Sequence, residues 1–146
     1  MAYLPDGVPG PEPTIDDSPF WDYCAKRELR FQRCAACGKF RHPPAPACRH
    51  CKSFISEWVE ARDEAELFSF TIVNFAAHPA VEEALPYNVA IVLFPSFDNV
   101  RLVSNVIDAE SEDLTIGMRL RLVWDKAGDR APLPRFSIHP AAGTAR

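Results

Sequence analysis

The sequence predicts a mainly β protein in which a short N-terminal helix leads into a metal-bound ribbon and then a small antiparallel barrel or sandwich. Two observations carry this prediction. Four cysteines form two Cys-x2-Cys pairs within residues 34–51, a spacing typical of a metal site. Five apolar, β-branched segments then follow without a long helical pattern between them, which is typical of small all-β architectures.

Composition suggests how the chain is divided. Residues 1–15 contain four prolines and two glycines and almost no large apolar side chain, so they cannot bury enough surface to offset the entropy of ordering. We expect residues 1–17 to form a flexible Pro-rich arm, mobile or draped on a partner. The N-terminal helix and the ribbon should occupy 18–56, the barrel 57–140, and a tail 141–146.

The helix is predicted over about residues 19–28. Ser18 can cap its start, and Pro19 suits the first helical position because the N–H that proline lacks would be unpaired there. Apolar residues recur through it at helical spacing: Trp21, Cys24 or Ala25, and Leu29. Cys24 should therefore be a small buried residue rather than a ligand.

The strands are predicted from segments rich in β-branched and aromatic residues. They cover residues 66–75, 87–96, 100–108, 118–126 and 134–139. The polar connector that precedes Gly117 could form one short helical turn. No internal repeat is visible.

The four paired cysteines are predicted to bind one structural zinc ion. Two residues between the members of each pair let both sulfurs face inward on one tight turn, called a knuckle here, and two knuckles supply the tetrahedral sulfur ligands that structural zinc prefers. The predicted ligands are Cys34, Cys37, Cys48 and Cys51. Gly38 follows the first pair and tolerates a positive φ, whereas Lys52 follows the second.

Other roles for these thiols remain open from the residues alone. Iron in a rubredoxin-like redox site uses the same ligands, and disulfides or a catalytic dithiol are further alternatives. His42 and His50 could substitute as ligands, but with four thiols available we expect both to be exposed ribbon residues. A ribbon this short cannot build a sufficient core, so the metal should contribute much of its folding energy.

Charge and composition argue against several classes of function. The formal net charge of −4 disfavours nucleic acid as the main partner, because phosphate binding depends on dense Lys and Arg. No apolar run is long enough for a membrane span, and the N-terminus lacks the pattern of a signal peptide. We therefore expect a cytoplasmic protein with reduced thiols. No nucleophile–base–orienter set is apparent, so we assign no catalytic residue.

The order of these segments resembles a known family. Phe20-Trp21 precedes the paired knuckles, "LPYNVAIVLF" and "RLVSNVID" follow, and "LTIGMRLRLVW" leads to "LPRFSIH". This order is similar to that of the family called domain of unknown function thirty-five, an acyl-CoA-associated OB-fold family with an N-terminal rubredoxin-like zinc ribbon. The resemblance extends over about residues 18–139. It implies a helix, a zinc ribbon and a five-stranded OB-fold barrel.

The resemblance also implies a function. Family members are usually accessory subunits, or fused domains, of enzymes that act on CoA thioesters. The partner would be a thiolase-superfamily enzyme, such as a thiolase or a sterol-carrier-like aldolase, with acyl-CoA as a candidate ligand. A hotdog-fold enoyl-CoA hydratase is an alternative partner, and a nucleic-acid-binding OB and zinc-ribbon protein is another class. The residues we expect to contact a partner or acyl-CoA are Phe20, Trp21, Phe75, His78 and Tyr87.

Overall fold

The N-terminal helix is shorter than predicted. The computed structural model describes residues 3–62, 65–125 and 130–140, and in it helix α1 covers Ser18–Ala25. Its end is set by Arg27, which has a positive φ of 59°, and by Glu28, whose N–H donates to the Tyr23 carbonyl at 3.0 Å. The prediction that the helix reaches residue 28 is therefore wrong, because the chain reverses at Arg27.

A three-stranded antiparallel sheet follows the helix. Its strands are β1 (Arg30–Cys34), β2 (Phe40–Arg41) and β3 (Ser56–Glu60), in the order β2-β1-β3. This sheet forms the body of the ribbon and was not predicted, because β2 has only two residues and none of the three strands has a long alternating pattern.

The five strands predicted after the ribbon are all present. They are β4 (Ala65–Val73), β5 (Tyr87–Phe94), β6 (Val100–Ser104), β7 (Arg119–Asp125) and β8 (Leu133–Ile138). They form one antiparallel sheet in the order β6-β5-β4-β7-β8. Strand β5 shows why the strands could be predicted from the sequence, because every second residue along it is buried. The predicted helical turn before Gly117 is a 3₁₀ turn, Ser111–Asp113.

The sheet curls until its two edge strands meet. Val106, just after β6, forms a parallel bridge with Phe136 of β8, and the Ser104 hydroxyl donates to the Pro134 carbonyl at 2.7 Å. The Asn88 side chain supports this closure, because its Nδ2 donates to the Val106 carbonyl at 2.7 Å and its Oδ1 accepts from the Val106 N–H at 2.8 Å. The result is a five-stranded, partly open barrel, as predicted.

Ribbon and barrel share one hydrophobic core. The core cluster combines α1 and β1 with the barrel strands, and Phe31 of β1 lies with its ring centroid 4.8 Å from that of Phe94 in β5. The ribbon is therefore packed against the barrel by side chains that exclude water, which sets the position of the cysteines relative to the barrel.

The Pro-rich arm lies against the barrel of its own chain. The Tyr3 hydroxyl accepts hydrogen bonds from Nδ2 and the backbone N–H of Asn88, at 2.9 and 3.0 Å. Arg130 donates to the Pro5 and Val8 carbonyls. The start of the arm therefore packs on its own barrel, and a mobile arm or one draped on a partner stays a prediction. The predicted tail, 141–146, lies outside the described residues.

Candidate functional site

The two cysteine pairs meet at the outer end of the ribbon. Cys34 ends β1 and Cys37 lies in the turn that follows, while Cys48 and Cys51 lie between β2 and β3. The four Sγ atoms all lie within 4.8 Å of one another. Two of the distances join the pairs crosswise: Cys34 to Cys51 at 3.5 Å and Cys37 to Cys48 at 3.6 Å.

This arrangement fits one tetrahedral zinc ion. A Zn–S bond of about 2.3 Å implies sulfur–sulfur separations of about 3.8 Å, close to the spacings observed. All five cysteines are free thiols. The ligand type, number and spacing therefore support structural zinc, which would join the two knuckles and leave no coordination position for a substrate.

Backbone N–H groups favour the thiolate form of the first cysteine in each pair. The Cys37 N–H lies 3.4 Å from Cys34 Sγ, and this hydrogen bond is the main cause that lowers the pKa of Cys34 to about 6. The Cys51 N–H likewise lowers the pKa of Cys48. Cys24 behaves in the opposite way, since burial raises its pKa to about 12. The prediction that Cys24 is a buried, non-ligating residue is confirmed.

The two knuckles have the same backbone geometry. Gly38 N–H donates to the Cys34 carbonyl and Lys52 N–H to the Cys48 carbonyl, each at 2.9 Å. Gly38 has a φ of 77° and Lys52 a φ of 66°. Lys52 therefore takes the conformation that a glycine would take, and the second knuckle closes in spite of the missing glycine.

This equivalence predicts different effects of two substitutions on stability. Gly38→Ala should lower the free energy of unfolding by about 1–2 kcal/mol, because a Cβ strains the left-handed conformation. Lys52→Gly should raise it by up to about 1 kcal/mol or leave it unchanged, because the strain is removed while glycine adds unfolded-state entropy. Thermal unfolding of the zinc-loaded proteins tests this. A loss in Lys52→Gly as large as that in Gly38→Ala would contradict it.

The residues predicted to contact a partner differ in how far they are exposed. Phe20 is only 2% exposed and packs against Trp21, 4.9 Å away between ring centroids, so it belongs to the interior and is not available to a partner. Trp21 is half-buried. Phe75, which is 80% exposed, lies beyond the end of β4, close to the start of β5 at Tyr87, since Val73 pairs with Tyr87.

His78 and His42 both make contacts within the protein itself. His78 Nδ1 accepts from the Ala80 N–H at 3.1 Å and so caps the 3₁₀ turn Pro79–Ala84. His42 is half-buried rather than exposed as predicted, because its ring lies 5.0 and 5.4 Å from those of Phe20 and Phe31. This burial lowers the pKa of His42 to about 4.

Three arginines that no sequence pattern indicated lie together at the junction of ribbon and barrel. Arg41, Arg49 and Arg101 line one cavity of about 510 Å³. Arg41 and Arg49 come from the ribbon, whereas Arg101 comes from β6. No sequence signal connects residues so far apart, because only the packing of the two parts brings them together.

Two family models cover most of the chain. Residues 21–57 match the rubredoxin-like zinc ribbon domain of ChsH2, and residues 58–125 match its C-terminal OB-fold domain.

In the described ranges no helix is long and apolar enough to cross a membrane.

Two curated proteins are similar in sequence. A probable enoyl-CoA hydratase alpha subunit from Thermomonospora curvata is 41% identical over 128 residues, which is 86% of this chain and 39% of that protein. The chain thus spans about two fifths of the length of this relative. A DUF35 domain-containing scaffold protein from Methanocaldococcus jannaschii is 25% identical over 93 residues, covering 63% of this chain and 64% of that protein.

Solved structures agree with the fold. A chain of the Ltp2-ChsH2(DUF35) aldolase is 36% identical, with a TM-score of 0.80, and the match covers 88% of this chain and 98% of that one. A DUF35 protein of unknown function from Sulfolobus solfataricus shares the fold, with 20% identity, a TM-score of 0.61 and 86% of each chain covered. The chain therefore belongs to the DUF35 family, with a ChsH2-type rubredoxin-like zinc ribbon followed by an OB-fold domain.

Proposed function

We propose that this protein is a noncatalytic accessory subunit that binds a thiolase-superfamily enzyme, a thiolase or a sterol-carrier-like aldolase, and helps form its acyl-CoA site. The observation that carries the proposal is the similarity to nearly the whole of one chain of the Ltp2-ChsH2(DUF35) aldolase. The setting would be acyl-CoA, steroid side-chain or aromatic catabolism in the cytoplasm, with the reacting groups on the partner and zinc in the ribbon.

The surface at the tip of the β4–β5 hairpin supports this proposal. Phe75 exposes 80% of its surface there, beside the turn that His78 caps and the half-buried ring of Tyr87. A large aromatic side chain exposed at this position offers apolar area that a partner can bury. This tip is the part of the barrel that we propose contacts the partner.

A second candidate partner is an enoyl-CoA hydratase. The observation that favours it is the 41% identity to the probable enoyl-CoA hydratase alpha subunit. Both candidates place the chain beside an enzyme that acts on CoA thioesters, and they differ in the fold and reaction of that enzyme.

Co-expression with a thiolase-like enzyme and, separately, with an enoyl-CoA hydratase from the same organism tests the proposal. We expect one of them to co-purify with the chain and to lose activity without it. Absence of a complex with both enzymes, with activity unchanged when the chain is left out, would refute the proposed function.

Variants then test the contact surface within that complex. Phe75→Asp should weaken the complex at least about tenfold, because it removes an aromatic contact and introduces a charge into a desolvated interface. Ile116→Asp is the matched control, since Ile116 is 64% exposed and precedes β7, near the opposite end of β4. Titration calorimetry or biolayer interferometry measures both. Equal losses, or none for Phe75→Asp, would show that the hairpin tip is not the contact.

A further inference from the structure

The cavity between ribbon and barrel is lined mainly by positively charged side chains, although the chain as a whole is acidic. Its volume is about 510 Å³, and its walls come from the ribbon segment that starts at Phe40 and from the barrel residues 98–101. The two walls are joined by the Phe40 N–H, which donates to Asp98 Oδ2 at 3.0 Å. Three guanidinium groups and one carboxylate line it, although the protein as a whole has a formal net charge of −4.

Arg41 has a donor without an acceptor. The residue is 9% exposed, and its Nε and Nη2 donate to the Ala45 carbonyl at 3.1 and 2.9 Å. Its third nitrogen, Nη1, is buried and has no hydrogen-bond partner in the described part of the chain. A buried N–H of a charged group without an acceptor is destabilising, so a bound anion would supply what the protein does not.

The other two arginines are exposed and available. Neither Arg49 nor Arg101 forms an ion pair with any described residue, and both line the same cavity. The Arg101 guanidinium lies over the Phe68 ring, 4.0 Å from its centroid, which limits its motion. Two of the three guanidinium groups are thus held in position before any ligand arrives.

We propose that this cavity binds a phosphate-bearing small molecule, with Arg41, Arg49 and Arg101 as the groups that contact its phosphate oxygens. Guanidinium groups form paired, charge-assisted hydrogen bonds with phosphate oxygens, and a phosphate or diphosphate has enough oxygens to engage several arginines at once. The volume lies in the range of small-molecule sites and exceeds what a single inorganic phosphate needs. The site is separate from the hairpin tip, whereas it borders the second knuckle, because Arg49 directly follows Cys48.

Two probes distinguish the source of the phosphate. Inorganic pyrophosphate represents free polyphosphate anions, and adenosine 3′,5′-bisphosphate represents the phosphate-bearing end of coenzyme A; the choice of this second probe rests on the proposed function. Titration calorimetry on the isolated zinc-loaded chain measures both. We expect saturable binding of at least one probe that weakens as salt rises, whatever enzyme the chain binds, so failure of this inference and failure of the proposed partner are distinguishable.

A double variant tests the residues. Arg49→Gln with Arg101→Gln should weaken binding at least about tenfold while the unfolding temperature stays nearly unchanged, because both side chains are exposed. The matched control is Arg62→Gln with Arg121→Gln, which removes two arginines that line a different cavity. The inference is overturned if neither probe binds saturably, if the double variant keeps the affinity of the unaltered chain, or if the control loses as much.

Discussion

Cys34→Ser is expected to abolish stoichiometric zinc binding and to lower the free energy of unfolding by about 4 kcal/mol or more. The substitution removes one of four thiolates, and a serine hydroxyl is not deprotonated at neutral pH and binds zinc poorly. The effect should spread beyond the metal, since Cys34 ends strand β1 and Phe31 of the same strand is fully buried between ribbon and barrel. Metal analysis and thermal unfolding measure the two effects.

The matched control is Cys24→Ala. Cys24 is also fully buried but lies outside the ligand cluster, so this change should leave one zinc ion per chain and cost about 1 kcal/mol for the small cavity it creates. If the Cys34→Ser protein kept the zinc content and the unfolding temperature of the unaltered protein, the four-thiolate site would be refuted.

Phe31→Ala is expected to lower the free energy of unfolding by about 3–5 kcal/mol, the range for truncating a buried phenylalanine. Its ring lies 4.8 Å from Phe94 and 5.6 Å from Phe97 between centroids, so its removal leaves a void where the ribbon meets the barrel. Zinc content should stay at one ion per chain, because the four sulfurs are untouched. Chemical denaturation followed by tryptophan fluorescence, with metal analysis alongside, measures both.

Phe40→Ala is the control for this prediction. Phe40 belongs to the same sheet and contacts the same Phe97 ring at 4.8 Å, but it is only partly buried, so its truncation should cost about 1–2 kcal/mol. Equal losses in the two variants would mean that Phe31 does not join the ribbon to the barrel as described.

Much of the fold was predictable because its signals are local. The strand pattern of β5 is an alternation of buried and exposed residues over eight positions, and such an alternation is visible without knowing what the strand pairs with. The cysteine knuckles are also local, since two residues between thiols determine the turn that brings both sulfurs together. The strands of the ribbon were missed because a two-residue strand is defined by its hydrogen-bonded partner rather than by a pattern.

Two of the errors concern burial, in contrast to the helix that ends earlier than predicted. His42 was expected to be exposed, yet the rings of Phe20 and Phe31 cover it, and Phe20 itself was expected to be available to a partner. Both outcomes depend on how α1 lies over the ribbon and barrel. Periodicity indicates which face of a helix is apolar, but it does not indicate which side chains the packed face will cover.

By itself the sequence predicted the four clustered cysteines and the five barrel strands, because each depends on residue type and short spacing along the chain. The family was indicated by the resemblance in the order of the segments. Only the tertiary structure decided that Val106 bridges to Phe136 and closes the barrel, with the Asn88 side chain holding Val106. It also decided that Arg41, Arg49 and Arg101 line one cavity. The physical reason is sequence separation: these groups meet through strand register and through the packing of ribbon on barrel, and neither is encoded in any short segment.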